Sequence, residues 1–284
     1  MPRKMNMRVI LPVLLALLLV LVGWILWSNR ALELNTYTVE SVDLPNSFDG
    51  FRIAHVSDLH NAEFGDKNGK LLALLQEAQP DIIAITGDLI DSRRTNISVA
   101  LKFAEEAVKI APCYYVPGNH EARIAEYDVL RSGLEKLGVV VLQNENTTME
   151  ISGETITVAG VLDPSFETDY LLGDSETVMK DYLQSTVTED AYTLLLSHRP
   201  ELLQAYADYG IELVLSGHAH GGQFRLPLAG GLIAPNQGFF PEYDAGLFTQ
   251  GNTNMIVSRG IGNSAFPFRF NNRPEVILVI LKAV

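Results

Sequence analysis

Two kinds of apolar patterning divide the chain. From Val9 to Trp27 the run VILPVLLALLLVLVGWILW carries no charge over nineteen residues, and beyond it short apolar runs alternate with segments of helical periodicity. The first pattern matches the length a helix needs to cross a bilayer. A buried core helix rarely lacks polar residues over about five turns. A cleaved signal peptide is the competing reading, but its apolar region usually spans ~7 to 15 residues and ends at a small-residue cleavage site. This run is longer and ends in WILWSNRALEL, which favours an uncleaved transmembrane anchor.

In the body, FRIAHVS (51–57), DIIAIT (81–86), CYYVP (113–117), YTLLLS (192–197) and IELVLS (211–216) predict buried strands. Between them, apolar residues recur at helical spacing over 67–79, 97–110 and 122–137, the last stopped by Lys136-Leu137-Gly138. Such alternation predicts an α/β domain. The segment 147–161 instead alternates with period two around Ser152-Gly153-Glu154, a β-hairpin pattern. Past residue 220 helical periodicity disappears and short strands such as NMIVS and EVILVIL remain. The expected organisation is an N-terminus and anchor over 1–27, a linker over 28–45 and one domain over 46–284, large enough to bury a full core.

Charge sharpens this picture. Arg3, Lys4, Arg8 and Arg30 are the only charges in the first thirty residues, which leaves 17 basic against 34 acidic residues in the body. Three of the four cations precede the span, so the positive-inside bias keeps the N-terminus cytoplasmic and turns the body outward, in a single-pass topology at the cell membrane. A strongly acidic body repels phosphate backbones and anionic lipid headgroups, so no nucleic-acid partner is expected. The single cysteine, Cys113, sits in an apolar strand and reads as a small buried hydrophobe.

The chemistry-bearing residues stand at the carboxyl ends of the predicted strands. Asp58 and His60 follow the first, Asp88 the second, Asn119 and His120 the third, His198 the fourth, and His218 and His220 the fifth. Strand carboxyl ends in open α/β sheets border the crevice where sites assemble. Taken singly, each has an ordinary explanation as a turn residue, a cap or a surface histidine. Together they include five of the chain's six histidines, which points to one metal site. His55, on the strand face opposite Asp58, reads as a structural histidine.

The order D-x-H (Asp58, His60), G-D-x-x-D (Asp88, Asp91), G-N-H-E (Gly118–Glu121), H (His198) and G-H-x-H (His218, His220) resembles the calcineurin-like metallophosphoesterases, over residues 51–284. The resemblance implies a four-layer αββα sandwich of two mixed β-sheets flanked by helices. It implies two divalent metal ions, one held by Asp58, His60, Asp88 and His220 and the other by Asp88, Asn119, His198 and His218. Carboxylate, imidazole and amide oxygen without thiolate suit Mn²⁺, Fe²⁺ or Zn²⁺. Two such ions ~3.5–4 Å apart can hold a bridging hydroxide and clamp phosphoryl oxygens during in-line attack. His120 becomes the proton donor to the leaving oxygen, oriented by Asp91. Glu121 is expected as a favourable acid in the first turn of a helix, with orientation of its neighbours by hydrogen bonding as the alternative.

One departure bears on substrate. Protein Ser/Thr phosphatases of that superfamily carry arginine directly after the orienting aspartate, and here Asp91 is followed by Ser92, which argues against a phosphoprotein. The later stretches GHAHGGQFRLP and SRGIGNSAFPFRFNNRPEV are similar to a membrane-associated bacterial branch that includes phosphodiesterases and UDP-diacylglucosamine pyrophosphatases. They add Arg225, Arg259, Arg269 and Arg273, each either a phosphate-steering cation or a partner in loop salt bridges. The expected activity is a membrane-anchored phosphodiesterase acting outside the cytoplasm on a phosphodiester, phospholipid or other envelope-type substrate. A lipid pyrophosphatase is the alternative within enzymes. A catalytically silent binding module is the alternative beyond them, disfavoured because no position of the motif set is lost.

Overall fold

The computed structural model describes residues 7–167, 174–188 and 191–284. Arg3 and Lys4, part of the expected cytoplasmic N-terminus, lie outside the described residues. Helix α1 (Met7–Ser28) carries the apolar run, and the stretch Ile10–Ser28 is long and apolar enough to cross a membrane, with only Ser28 at its end buried. Trp24 and Trp27 lie near its C-terminal end, where amphipathic rings anchor spans at an interface.

Two six-stranded mixed sheets form the body. The first is built from β1 (Glu33–Ser41), β2 (Arg52–Val56), β3 (Ile82–Thr86), β4 (Cys113–Val116), β5 (Val140–Val141) and a C-terminal strand, β16 (Glu275–Ala283), in the order β1-β16-β2-β3-β4-β5. The second uses β6 (Glu145–Ile151), β7 (Glu154–Gly160), β8 (Thr193–Leu196), β9 (Leu213–Ser216), β14 (Gly246–Gln250) and β15 (Thr253–Val257), in the order β14-β15-β9-β8-β7-β6. Between β9 and β14, two-residue strands pair as β10 (Arg225–Leu226) with β11 (Gly230–Gly231) and β12 (Ile233–Ala234) with β13 (Gly238–Phe239).

Period-two alternation explains the layers, because successive strand residues face opposite sides. Ile53, Ala84, Val116 and Ile277 of the first sheet meet Val158, Leu194, Leu215 and Ile256 of the second in a central core. Their sequence neighbours Ala54, Ile83, Ile85 and Tyr115 face outward under α2 (Gly69–Ala78), α3 (Ile97–Ala107) and α4 (Tyr127–Lys136). On the far side Ala159, Leu195, Val214 and Val257 pack under α5 (Ser175–Thr186) and α6 (Leu203–Asp208). The result is the expected αββα sandwich. Strands buried on both faces read as continuous apolar runs, which is why the inner ones were visible in the sequence.

Several local features differ from the sequence reading. Residues 33–41, expected within a linker, form β1 and pair in parallel with β16 from Glu33↔Glu275 to Ser41↔Ala283. The helix expected from 122 begins at Tyr127, because Glu121–Arg123 closes as a 3₁₀ turn after the third site loop. Helices α5 and α6 were not anticipated. Their apolar faces are short, and α5 is set by Asp174, whose carboxylate accepts the Glu176 N–H at 3.2 Å. The hairpin appeared as predicted, with β6 and β7 joined by Ser152 and Gly153, both at positive φ, as a type I′ turn requires. Cys113 is buried and burial pushes its thiol up to about 12.

Candidate metal centre

At the carboxyl ends of β2, β3, β4, β8 and β9 the chain turns sharply. Asp58, His60, Asp88, His218 and His220 all adopt positive φ, a conformation that costs energy for side-chain-bearing residues and collects at functional sites. Close approach demands glycine beside them. A Cβ on Gly118 would collide with the Asp88 carboxylate, and one on Gly217 with Ser57 and Asp58.

The side chains so delivered form two clusters that share one oxygen. In the first, His220 Nε2 lies 3.4 Å and His60 Nε2 3.7 Å from Asp58 Oδ1, the two nitrogens are 3.2 Å apart, and His60 Nε2 is 3.5 Å from Asp88 Oδ2. In the second, His198 Nε2 lies 3.4 Å from the same Asp88 Oδ2 and 3.2 Å from His218 Nδ1. The Asn119 amide completes it, 2.8 Å from His218 Nδ1 and 3.3 Å from His198 Nε2. Its oxygen can face a cation there, or its NH₂ group can donate where none is bound. All seven residues predicted as ligands are therefore brought together, in the two groups expected.

The donor set fits divalent cations. Asp58 Oδ1 is buried without a hydrogen-bond partner, while Oδ2 is held by the Ser57 hydroxyl at 2.7 Å and the His218 N–H at 3.1 Å. His198 donates from Nδ1 to the Thr86 carbonyl at 2.7 Å, so in the neutral ring the Nε2 lone pair faces the cluster. Burial alone would raise both aspartates and lower His198. The surrounding imidazoles outweigh it for Asp58 and Asp88, and the two carboxylates outweigh it for His198, which rises to about 10. That field favours positive charge at the centre of a buried site.

His120 stands at the rim, with Nε2 3.9 Å from Asp88 Oδ2 and 3.3 Å from the Ser264 hydroxyl. Its position allows it to be grouped with His60 and Asp88 as a third possible cation site. Its Nδ1 accepts the Ser92 N–H at 3.0 Å, with the Ser92 hydroxyl also at 3.0 Å. Asp91, the residue expected to orient it, comes no closer than 3.7 Å and instead holds Arg93 through three hydrogen bonds. The residue that touches His120 Nδ1 is thus Ser92. The cavity over the clusters has a volume of about 230 Å³ and is bordered by Arg93, Arg123, Asn236 and Ser264.

Two features, Glu121 and Arg199, were missed or misread in the sequence, whereas three of the four later arginines follow the salt-bridge reading. Glu121 is fully buried rather than a first-turn acid: it accepts the N–H groups of Asp88 and Gly118 at 2.8 Å and of Ile90 at 3.2 Å. Burial and Asp88 push its carboxyl up to about 7. Arg199 was passed over; it grips Asp163 at 2.5 and 2.8 Å and reaches His218 Nε2 at 3.3 Å. The four arginines considered for phosphate steering are engaged elsewhere. Arg225 pairs with Asp244, Arg259 with Glu33 and Glu275, Arg273 with Glu33, and Arg269 is buried against the carbonyls of Arg259 and Gly262. His55 is structural, as expected: buried, 2.8 Å from Thr86 Oγ1, and lowered by burial to about 3.

Comparison with known proteins agrees with this geometry. A family model described as calcineurin-like phosphoesterase matches residues 51–222. The uncharacterized metallophosphoesterase YkuE of Bacillus subtilis is 30% identical over 261 residues, covering 89% of this chain and 86% of that protein. The Escherichia coli phosphodiesterase YaeI is 28% identical over 236 residues, covering 81% and 82%. A Bos taurus transmembrane protein with a metallophosphoesterase domain is 30% identical over 298 residues, covering 99% of this chain and 64% of that one. Among solved structures, a Thermus thermophilus sulfate thiohydrolase, SoxB, superposes with a TM-score of 0.51 at 14% identity, over 84% of this chain and 58% of that chain, a likeness of fold alone.

Proposed function

Since the chain belongs to the calcineurin-like phosphoesterase family and is a metal-dependent phosphoester hydrolase, we propose that it is a phosphodiesterase held in the membrane by α1, with its site outside the cytoplasm. The observation that carries this reading is the pair of ligand clusters joined at Asp88 Oδ2 beneath a cavity that also presents His120 Nε2. Bound there, two divalent cations would supply positive charge to the phosphoryl oxygens and lower the pKa of water.

The remaining roles fall to the chain itself. Asp58, His60, Asp88 and His220 hold one cation position, and Asp88, Asn119, His198 and His218 the other. Water adds to phosphorus and one P–O ester bond breaks. Protonated His120 gives its Nε2 proton to the departing oxygen and regains one from the attacking water. Its Nδ1 lies 3.0 Å from both the Ser92 N–H and the Ser92 hydroxyl; burial pushes the ring down to about 4, and the Asp88 and Asp91 carboxylates, the latter 3.7 Å away, act against it. With Arg93 neutralised by Asp91, Arg123 is left on the cavity wall to meet a phosphoryl oxygen, one cation for the single charge of a diester. The name of the relative YaeI accords with a diester. Anchoring is supported by the apolar helix, by the cations Arg3, Lys4 and Arg8 before it, and by the transmembrane relative.

A second reading, a nucleotide-lipid pyrophosphatase, is favoured by an apolar cavity of about 190 Å³ beside His220. The deciding experiment gives the full chain, in detergent and loaded with Mn²⁺, an aryl phosphodiester, an aryl phosphomonoester and a nucleotide-lipid pyrophosphate. The expected result is the highest kcat/KM on the diester, abolished by chelation. A folded, metal-loaded chain that leaves all three untouched would sink the assignment.

A further inference from the structure

The apolar cavity shares His220, Pro235, Ser264 and Ala265 with the cavity over the ligand clusters, and Ile233 and Phe266 are among the residues lining the rest of it. Its walls come from two loop segments, 223–240 and 264–270, that are bound to each other. Arg225 donates its N–H to the Phe270 carbonyl at 3.0 Å, and the Phe224 ring packs edge-on against Phe266 and Phe268 with centroids 5.3 and 5.4 Å apart. Both segments also turn large apolar side chains outward. Leu228, Phe239, Phe240, Phe266 and Phe268 are exposed, Phe239 by 71% and Phe240 by 61%. A cluster of this size marks an interaction surface rather than scattered surface residues.

The second segment is fastened to the end of the membrane helix. The Asn29 side-chain oxygen accepts the Arg269 N–H at 2.8 Å and the Asn263 amide at 3.1 Å, and its nitrogen donates to the Arg269 carbonyl at 2.9 Å. Behind it, the Arg273 guanidinium lies 4.9 Å over the Trp27 ring. Phe266 is three residues from both Asn263 and Arg269, so it stands within about 11 Å of a residue touching the end of the span. The segment that carries Phe266 and Phe268 is thus tied to the end of α1, the helix long and apolar enough to cross a membrane.

We propose that the apolar cavity takes an acyl chain of a phosphoester lipid drawn from the membrane that α1 spans, which sets the headgroup phosphate over the ligand clusters. This rests on the reading of a membrane-anchored hydrolase and names its substrate class. Aromatic and aliphatic side chains at an interface bury a few ångströms into the acyl boundary. A lipid can therefore enter the cavity without its chain crossing water.

The test uses the full chain, loaded with Mn²⁺, in phosphatidylcholine vesicles doped with a phosphatidylglycerol carrying a photoreactive group on one acyl chain. Cross-links are mapped by mass spectrometry, and hydrolysis of the lipid is measured beside that of a soluble aryl diester. Cross-links at residues 233–235 and 264–266 are expected, and Ile233→Trp, which fills the cavity, should reduce them and lower the ratio of lipid to soluble turnover at least tenfold. Phe266→Trp serves the same purpose if the first variant does not fold. Cross-links confined to α1, or an unchanged ratio in a folded cavity-filling variant, overturn the inference. Turnover of the soluble diester but not the lipid also overturns it while leaving the phosphodiesterase reading intact. Loss of soluble turnover in the unaltered chain indicts that reading instead.

Discussion

The Glu121 carboxylate accepts the backbone N–H of Asp88 at 2.8 Å. Through that bond, and through those it accepts from Gly118 and Ile90, a buried acid pins the loop on which the shared ligand sits at positive φ. Glu121→Ala leaves three buried donors without an acceptor, each worth about 1–3 kcal/mol. Expected are a loss of several kcal/mol in chemical denaturation and a drop of about 10- to 100-fold in metal affinity, the usual cost of removing a group that orients a ligand. Glu121→Gln keeps one acceptor oxygen and should fall between. Metal affinity equal to that of the unaltered chain would mean the loop holds its shape without the acid.

Asp88 is the oxygen both clusters share. Its loss should therefore damage both cation positions at once. Because disturbing a supporting residue already costs about 10- to 100-fold, Asp88→Ala is expected to lower kcat/KM on a diester by more than about 100-fold. Bound metal, measured by elemental analysis after gel filtration, should fall below one ion per chain. His198→Ala removes a ligand of one cluster alone and should retain more metal than Asp88→Ala.

His120 gives a prediction that separates proton donation from metal binding. General acid catalysis contributes about 10²–10⁴-fold, and it matters most when the departing oxygen is a poor leaving group. His120→Gln should therefore slow an alkyl ester severely and an activated nitrophenyl ester much less, with metal content near that of the unaltered chain. Equal losses on both esters together with lost metal would place His120 among the ligands, the other role its distance from His60 and Asp88 permits.

The residues of the two clusters were legible in the sequence because each stands just after a predicted apolar strand, where the apolar run ends. The supporting residues were not, because their roles depend on partners far along the chain. Glu121 looks like any acid near a helix start until the 3₁₀ turn folds it under Asp88, 33 residues earlier. Arg199 and Asp163 are 36 residues apart and meet only when β7 and β8 pair. Asp91 misled for the opposite reason: two residues away Arg93 competes for its carboxylate, and local sequence does not reveal which partner wins.

The Asp163–Arg199 pair predicts acid sensitivity. Burial raises the Asp163 carboxyl, but the charge and hydrogen bonds of Arg199 outweigh it and hold the group at about 2. The folded pKa lies below the usual carboxylate range, so the unfolded chain binds more protons there. The stabilisation is complete above about pH 4 and is lost as pH falls towards 2, to the extent of roughly 2 kcal/mol. Asp163→Asn leaves the buried Arg199 with Glu201, 3.3 Å away, as a remaining carboxylate, at a cost below the about 3–5 kcal/mol of an uncompensated buried charge at pH 7. Denaturation of the metal-free chain at pH 7, 4 and 2.5 should show the gap between the unaltered chain and Asp163→Asn narrowing at the lowest pH. A gap constant across that range would remove the pair from the acid response.

β1 decides where the chain can be cut. A domain beginning at residue 46 follows the apolar pattern, but it deletes Glu33–Ser41 and turns β16, a nine-residue strand interior to the sheet, into an edge. Exposed backbone on a long apolar edge templates aggregation. The same cut removes Val39 from the central core and frees Arg259 and Arg273 from Glu33. Lost apolar burial of about 1.5–3 kcal/mol for the valine adds to several ladder hydrogen bonds at about 0.5–1.5 kcal/mol each. The chain from residue 29 should be monodisperse on gel filtration. The chain from residue 46 should aggregate or melt roughly 10 °C or more lower, given about 2–4 °C per kcal/mol for a domain of this size. Equal Tm values for the two would show that β1 adds little to the fold it edges.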